Sequence, residues 1–263
     1  MKVLIVFAHP EPQSLTAHLK DVAVEELKSQ GHEVKITDLY AQKWKAAIDR
    51  SDFKQVSEND KLSVVSLSSE AYEQDNLTED VKLEQEKLLW ADTLLLHFPL
   101  WWFSMPAILK GWVERVYSCG LAYGVGEHSD HRWGERYGEG KFVGKRAMLC
   151  VTIGGWKEHY GDRGINGPLD DLLFPINHGV LFYPDFTVLP PFAVYRSHKM
   201  YPEKLEAVTA ELRERMRTLE STEPIPYRRQ NFGDYEIPSL ALREDIEPDV
   251  VGFSAHINHP EKK

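Results

Sequence analysis

The stretch MKVLIVF, residues 1–7, is a short apolar run rich in β-branched side chains, and the segment AHPEP that follows contains two prolines. This pattern predicts a buried strand followed by a loop. Two similar runs predict strands at 93–98 and 145–152, and a fifth strand is predicted at 186–194 in spite of Pro190 and Pro191. Segment 32–39 alternates and predicts the remaining strand. Apolar runs without alternation are typical of parallel sheets covered on both faces.

Amphipathic segments separate these strands. They predict helices at 14–31, 79–90, 168–178 and 202–220 and a further helix from Pro106, with residues 41–78 an irregular excursion that contains short helical pieces and 124–145 a loop. The sequence therefore predicts an α/β fold, a doubly wound five-stranded parallel sheet over 1–220. Residues 221–263 are predicted to be an irregular C-terminal extension that could pack on the partner subunit. Ligands of such sheets bind beyond the carboxyl ends of the strands.

Composition excludes several classes of protein. The net charge of -10 disfavours nucleic acid as a partner, because an acidic surface repels phosphates. No apolar run approaches the ~20 residues that an integral membrane helix needs. The first residues lack the features of a signal peptide, and the chain has only two cysteines, Cys119 and Cys150. We therefore expect a cytoplasmic protein with reduced thiols.

The loop after the first predicted strand carries hydroxyl groups at a helix start. The backbone N–H groups there, with His9, Ser14, Leu15 and Thr16, suit an anionic phosphate. Serine and threonine at a helix start are also ordinary helix caps, and this alternative stays open.

The loop after the third predicted strand, FPLWWFSMP at residues 98–106, contains four large apolar side chains close to a strand end. A flat ring such as isoalloxazine is a natural partner for them, although they could instead fill the core or a dimer interface. After the fourth predicted strand, the segment TIGGW at residues 152–156 has paired glycines that let a ligand approach the backbone, or that simply end the strand. Together the three loops describe a flavin nucleotide site.

Segment 98–116, FPLWWFSMPAILKGWVERV, resembles the NAD(P)H:quinone oxidoreductase family, the flavoproteins of the DT-diaphorase and dihydronicotinamide riboside quinone reductase type. Segments LIVFAH at 4–9, DLY at 38–40, TIGG at 152–155 and GING at 164–167 support the resemblance, which covers roughly residues 1–195. It implies a flavodoxin-like fold, FAD and a homodimer whose acceptor pocket lies at the interface. It also implies ping-pong transfer of hydride from NAD(P)H, or a related dihydronicotinamide, to a quinone-like acceptor.

The resemblance also implies roles for individual residues. The predicted cofactor-binding residues are His9, Ser14, Leu15, Thr16, Pro99, Leu100, Trp101, Trp102, Phe103, Thr152, Ile153, Gly154, Gly155 and Tyr160. Tyr160 and Asn166 are the predicted catalytic residues. Tyr123, Trp102, Phe103 and Asn166 are predicted to line the substrate pocket.

The chain departs from the family pattern at several positions. Trp101 stands where the family usually has glutamine, Gln13 replaces a small hydroxyl residue, and segment 124–140 is longer. The riboside-using branch binds a structural metal through two histidines and a cysteine. Only His178 matches that set, because Phe182 occupies the second position, so we expect no metal there. His128 and His131 are spaced like a metal pair but lack further ligands nearby.

Two further classes of function remain as alternatives. The chain could be a flavodoxin-like regulatory or binding subunit, such as an ancillary protein of a potassium efflux system, with the extension docking a partner. An electron-carrier flavodoxin that uses FMN is disfavoured by the chain length and by the aromatic residues at 101–103.

Overall fold

A parallel sheet forms the centre of the protein in the computed structural model, which describes residues 1–259. The strand order is β2-β1-β3-β4-β5, and β6 also pairs with β4. All pairs are parallel, which confirms the predicted doubly wound sheet. The strands are β1 (Lys2–Phe7), β2 (Glu33–Asp38), β3 (Thr93–Pro99), β4 (Arg146–Thr152), β5 (Thr187–Val188) and β6 (Phe192–Val194).

Helices cover both faces of the sheet, as the apolar strands require. Alternate residues of β1 point to opposite faces, so Val3 and Ile5 join the core beneath α1 and α6, while Leu4 and Val6 join the core on the other face. That other core also contains buried residues of α3, α4 and α5. The helices are α1 (Leu15–Ser29), α2 (Val64–Glu73), α3 (Glu79–Trp90), α4 (Ala107–Val116), α5 (Leu169–Ile176) and α6 (Pro202–Arg217), and a π-helical turn at Asn177–Phe182 follows α5.

The predicted fifth strand is not continuous. Pro190 and Pro191 have no N–H to give to the ladder, and the strand is broken there into β5 and β6. β5 pairs with the start of β4 at Arg146, whereas β6 pairs with its end at Thr152. The break therefore brings the residues after β6 to the carboxyl edge of the sheet.

Residues 41–78 are largely irregular and contain α2 and a short helical turn, as predicted. An ion-pair network built around the buried Arg115–Asp52 pair fastens this segment to α4. The Arg115 guanidinium lies 2.7 Å from a carboxylate oxygen of Asp52 and 2.7 Å from one of Asp80, and the Lys45 ammonium lies 2.8 Å from Asp52. Removing one partner of such a pair leaves a buried charge without compensation.

The C-terminal extension packs on its own chain. The Ile225 N–H donates to the Val188 carbonyl at 2.8 Å, and the buried Tyr227 ring meets Phe174 of α5 edge-on. The Gln230 N–H donates to the Tyr137 carbonyl at 2.9 Å, which joins the extension to segment 124–140. The division into 1–220 and 221–263 stays a prediction, and residues 260–263 lie outside the described part of the chain. Within 1–259, no helix has the length and apolar character to cross a membrane.

Candidate functional site

The loops that follow β1, β3 and β4 meet at one edge of the sheet. The Leu100 N–H donates to the Thr152 carbonyl at 2.9 Å, and the hydroxyl oxygens of Thr16 and Thr152 lie 2.7 Å apart. The ring centroids of His9 and Trp101 are 5.9 Å apart. Residues that lie far apart in the sequence thus come together where the sequence predicted a site.

The first loop caps α1 and leaves the start of that helix available to an anion. The Ser14 hydroxyl accepts the Ala17 N–H at 3.1 Å, so Ser14 is a helix cap. The first turn of α1 contains no acidic residue, and first-turn N–H groups have no partner within a helix. His9 Nδ1 accepts the Glu11 N–H at 3.0 Å, which leaves Nε2 as a donor. Burial lowers the pKa of His9, so its ring is neutral at pH 7.

The second loop is a tight hairpin that presents aromatic rings to the surface. The N–H of Trp101 donates to the Ser104 carbonyl at 3.0 Å, and the Ser104 N–H donates back at 3.1 Å. Trp102 and Phe103, at the tip, have φ angles of 49° and 62°. Residues other than glycine disfavour this left-handed region of φ, so each of the two residues lowers the stability of the fold by about 1 kcal/mol or more. Trp102 is 95% exposed, so the alternative that it fills the core of this chain is wrong.

The third loop provides space and N–H donors through Gly154 and Gly155. A Cβ on Gly154 would find only His198 Nδ1, at 3.8 Å. Neither glycine N–H is bonded within residues 1–259. Ile153 differs from the two glycines because its backbone is already bonded within the chain. Its N–H donates to the Val194 carbonyl, its carbonyl accepts the Ser197 N–H, and its side chain is buried.

Tyr160 lies directly against Gly155. A Cβ on Gly155 would lie 2.8 Å from the Tyr160 ring and 3.2 Å from its hydroxyl oxygen. On its other side, the Tyr160 ring centroid is 5.9 Å from that of Tyr195. The Asn166 N–H donates to the His159 carbonyl at 3.0 Å, so the chain turns back beside Tyr160. Among residues 1–259 the Tyr160 hydroxyl has no hydrogen-bond partner, and it can therefore donate to a ligand that gains negative charge.

Sequence reasoning missed one residue at this edge. Arg196 follows β6, its N–H donates to the Gly155 carbonyl at 2.9 Å, and its guanidinium carbon lies 3.7 Å from the ring centroid of Trp156. No local pattern around Arg196 signals this contact, because it depends on the break in the fifth strand.

Tyr123, predicted to line the substrate pocket, lies beside α2. Its hydroxyl oxygen is 3.3 Å from that of Ser68, and its carbonyl accepts the Gly120 N–H at 2.8 Å. Its predicted place in the pocket stays a prediction, which requires a second subunit.

The histidines considered as metal ligands have other contacts. His128 packs edge-on against Trp133, and His178 stacks on Phe174 at a centroid distance of 4.6 Å. Within residues 1–259, no group of three or more histidine, cysteine or acidic side chains is arranged to hold a metal ion.

Comparison with known proteins places this geometry in a family. Residues 1–219 match the model of the family described as having a flavodoxin-like fold. The chain is 59% identical to a ribosyldihydronicotinamide dehydrogenase-like protein of Penicillium crustosum, over 97% of this chain and 95% of that one. It is 38% identical to the human ribosyldihydronicotinamide dehydrogenase [quinone], over 86% of this chain and 94% of that one. The chain belongs to the flavodoxin-like quinone reductases.

A solved structure agrees with this assignment to the flavodoxin-like quinone reductases. A candidate quinone reductase from Klebsiella pneumoniae superposes with a TM-score of 0.96 at 56% identity, covering 98% of this chain and 100% of that one. The fold predicted from the sequence is therefore shared over almost the whole chain.

The residues at the sheet edge fit a flavin nucleotide. The space at Gly154 admits a flat ring against the backbone, and the exposed rings of Trp101, Trp102 and Phe103 lie where such a ring needs apolar partners. The unopposed N-terminus of α1 fits the phosphates. These features provide one apolar, one polar and one anion-binding part of a single site.

Proposed function

We propose that the chain is an FAD-dependent two-electron reductase that passes hydride from NAD(P)H, or a related dihydronicotinamide, to quinones. The observation that carries the proposal is the strained Trp101–Ser104 hairpin, which holds two aromatic residues at the surface just after Pro99, the residue that pairs with Thr152 before the two glycines. Strained backbone that exposes apolar rings is costly unless a ligand covers them.

The chain's own residues provide binding and orientation. The N–H groups at the start of α1 and His9 Nε2–H bind the phosphates, and Leu100, Trp101 and Phe103 flank the ring system. Thr152, Gly154 and Gly155 bind its polar edge. A bound flavin would supply the hydride-accepting and hydride-donating centre. We expect ping-pong kinetics, with the dihydronicotinamide and the quinone binding in turn at this site.

Tyr160 is proposed to act on the charge that hydride arrival creates. Its hydroxyl would donate a hydrogen bond to the polar edge and so stabilise negative charge there. Asn166, whose N–H donates to the His159 carbonyl, has no ionisable side chain, so Tyr160 and the glycine N–H groups provide most of this stabilisation.

A homodimer completes the proposal. Tyr123 would reach the acceptor pocket of a second subunit, since in its own chain it lies beside α2. Most homo-oligomers of this kind are two-fold symmetric. Light scattering at micromolar concentration should give the mass of two chains, and the mass of one chain would contradict the dimer.

Two measurements test the function. Mass spectrometry of the flavin released by heat should give FAD, and FMN as the sole species would refute the assignment of FAD. Steady-state assays should show rapid NAD(P)H-dependent quinone reduction with parallel double-reciprocal lines.

The regulatory-subunit alternative predicts bound flavin without turnover in the second assay. In that alternative, the C-terminal extension docks a partner protein. Because residues 225–259 pack on their own chain through Ile225, Tyr227 and Gln230, the reductase is favoured.

A further inference from the structure

A second polar side chain lies beside Gly155, next to the free hydroxyl of Tyr160. A Cβ on this glycine would lie 3.2 Å from the Tyr160 hydroxyl oxygen and 3.4 Å from Nδ1 of His159. The hydroxyl and the imidazole therefore converge on one point beside the glycine backbone, whose N–H is free. His159 has no role in the proposed reductase as described so far.

The backbone of His159 is fixed on both sides. The residue lies in the helical turn Lys157–Tyr160, its N–H donates to the Trp156 carbonyl at 3.1 Å, and its carbonyl accepts the Asn166 N–H at 3.0 Å. Gly164 packs so closely that a Cβ there would lie 2.3 Å from the same carbonyl oxygen. These contacts position the imidazole without using its nitrogens.

The imidazole ring of His159 is exposed, and within residues 1–259 it has no hydrogen-bond partner and no carboxylate within 4.0 Å. Charged groups nevertheless surround it in the chain and in space. The neighbouring positions along the chain carry Lys157, Glu158, Asp162 and Arg163, and the loop after β6 adds Arg196 at Gly155 and His198 at Gly154. None of them is bonded to the ring, which is therefore free to bind a proton.

Hydride transfer creates a charge that such a ring can balance. A hydride carries two electrons and one proton, so its arrival at a neutral flavin leaves one negative charge at the polar edge. Histidine is the side chain whose charge most readily changes between pH 5 and pH 8. A protonated imidazole beside Gly155 attracts the new charge, whereas Asn166 offers only a neutral amide.

We propose that His159, as an imidazolium beside Tyr160 and the Gly155 N–H, supplies the positive charge that balances the reduced flavin. This role rests on the proposed flavin reductase and adds an ionisable residue to its site. The imidazolium keeps its proton during hydride transfer, and a ring that is neutral beforehand takes a proton from solvent as the negative charge appears. Opposite charges about 4 Å apart in water change an equilibrium about five-fold, so we expect effects of about three- to ten-fold.

NMR of the flavin-loaded protein with isotope-labelled histidine tests this role directly. The resonance that is missing in His159→Gln identifies the ring, and its protonation is followed against pH before and after the flavin is reduced with dithionite. Reduction should raise the affinity of the His159 ring for its proton about three- to ten-fold. The internal control is His32, before β2 at the opposite edge of the sheet, whose titration should not change. An unchanged titration of His159 would overturn the proposal.

The pH dependence of flavin reduction by NAD(P)H provides a second measurement. His159→Gln should slow reduction about three- to ten-fold near pH 6 and have little effect near pH 9, because the wild-type ring loses its proton as pH rises. His159→Lys should be at least as fast as wild type at both, and His32→Gln is the matched control. An equal loss in His159→Gln at both pH values would indicate a packing role and overturn the inference. Because dithionite replaces the nicotinamide donor in the NMR experiment, a failure of this inference is distinguishable from a failure of the proposed reductase.

Discussion

At the scale of single residues, the role of the Tyr160 hydroxyl can be tested most directly, by a single substitution. It lies beside Gly155 and has no hydrogen-bond partner within residues 1–259. Removing one preorganised donor typically costs ~2–4 kcal/mol of transition-state stabilisation, and solvent access reduces this. We expect Tyr160→Phe to slow flavin reduction about ten- to hundred-fold in stopped-flow measurements, which is about 1.4–2.7 kcal/mol.

The matched control is Tyr201→Phe, an exposed tyrosine before α6. Reduction at the wild-type rate by Tyr160→Phe with its flavin bound would leave the tyrosine a packing role only. Asn166→His should be mild or beneficial, because imidazole can share the charge.

The adjacent glycines at 154 and 155 allow a paired test. A methyl group on Gly155 would meet the Tyr160 ring at 2.8 Å, whereas one on Gly154 would meet nothing closer than 3.8 Å. We expect Gly155→Ala to destabilise even the flavin-free protein, by about 1–3 kcal/mol. Gly154→Ala should leave the flavin-free protein stable and weaken flavin binding. Thermal unfolding with and without flavin measures both, and equal behaviour of the two variants would contradict the proposed approach of the ring.

At the scale of elements, the contact between α4 and segment 41–78 depends on Gly111. A Cβ there would lie 2.1 Å from the Ala46 carbonyl oxygen, and a backbone atom cannot move aside as a side chain can. We expect Gly111→Ala to lower the free energy of unfolding by at least about 2 kcal/mol in urea titrations. Gly179→Ala, where nothing lies within 4 Å of the added carbon, is the control and should be neutral or slightly stabilising.

The elements also show which parts of the fold can be predicted from sequence. β1, β3 and β4 are apolar on both faces, so their runs predict them directly. The break at Pro190 follows from the missing N–H, yet only the paired structure shows that both halves still contact β4. The Arg115–Asp52 pair joins residues 63 apart, and no local pattern can predict such a contact.

The candidate functional site likewise has some parts that the sequence predicts and others that it does not. Its three loops were predictable because the carboxyl ends of parallel strands converge at one edge. The position of Arg196 and the internal bonding of the Ile153 backbone were not, since both depend on where the chain goes after β6.

At the scale of the whole molecule, buried histidines make stability depend on pH. Burial lowers the pKa of His97 to about 3 and of His178 to about 4, and lowers those of His9, His32 and His256. Below about pH 6.5 the unfolded chain therefore binds more protons, so this stability is present above 6.5 and is lost as pH falls towards 4. Asp185 and Asp170 have the opposite sign. Burial raises the pKa of Asp185 to about 6 and also raises that of Asp170, so their contributions are lost as pH rises through these pKa values.

These five histidines outnumber the two aspartates, so we expect the free energy of unfolding to fall between pH 6 and pH 4. His178→Phe should reduce the slope of the free energy of unfolding against pH by about 1.4 kcal/mol per pH unit. Urea titrations at several pH values measure it, with His198→Gln, an exposed loop residue, as the control. A slope unchanged by His178→Phe would show that this ring does not set the acid stability.

The left-handed backbone of Trp102 and Phe103 has opposite consequences for the stability of the flavin-free protein and for the binding of flavin. A glycine or asparagine at either position would relieve the strain and make the empty protein harder to unfold. The same change would remove an aromatic surface that the cofactor covers. A screen that rewards thermal resistance of flavin-free protein should therefore enrich inactive variants at these two positions, while a screen run with saturating flavin should keep the aromatic rings.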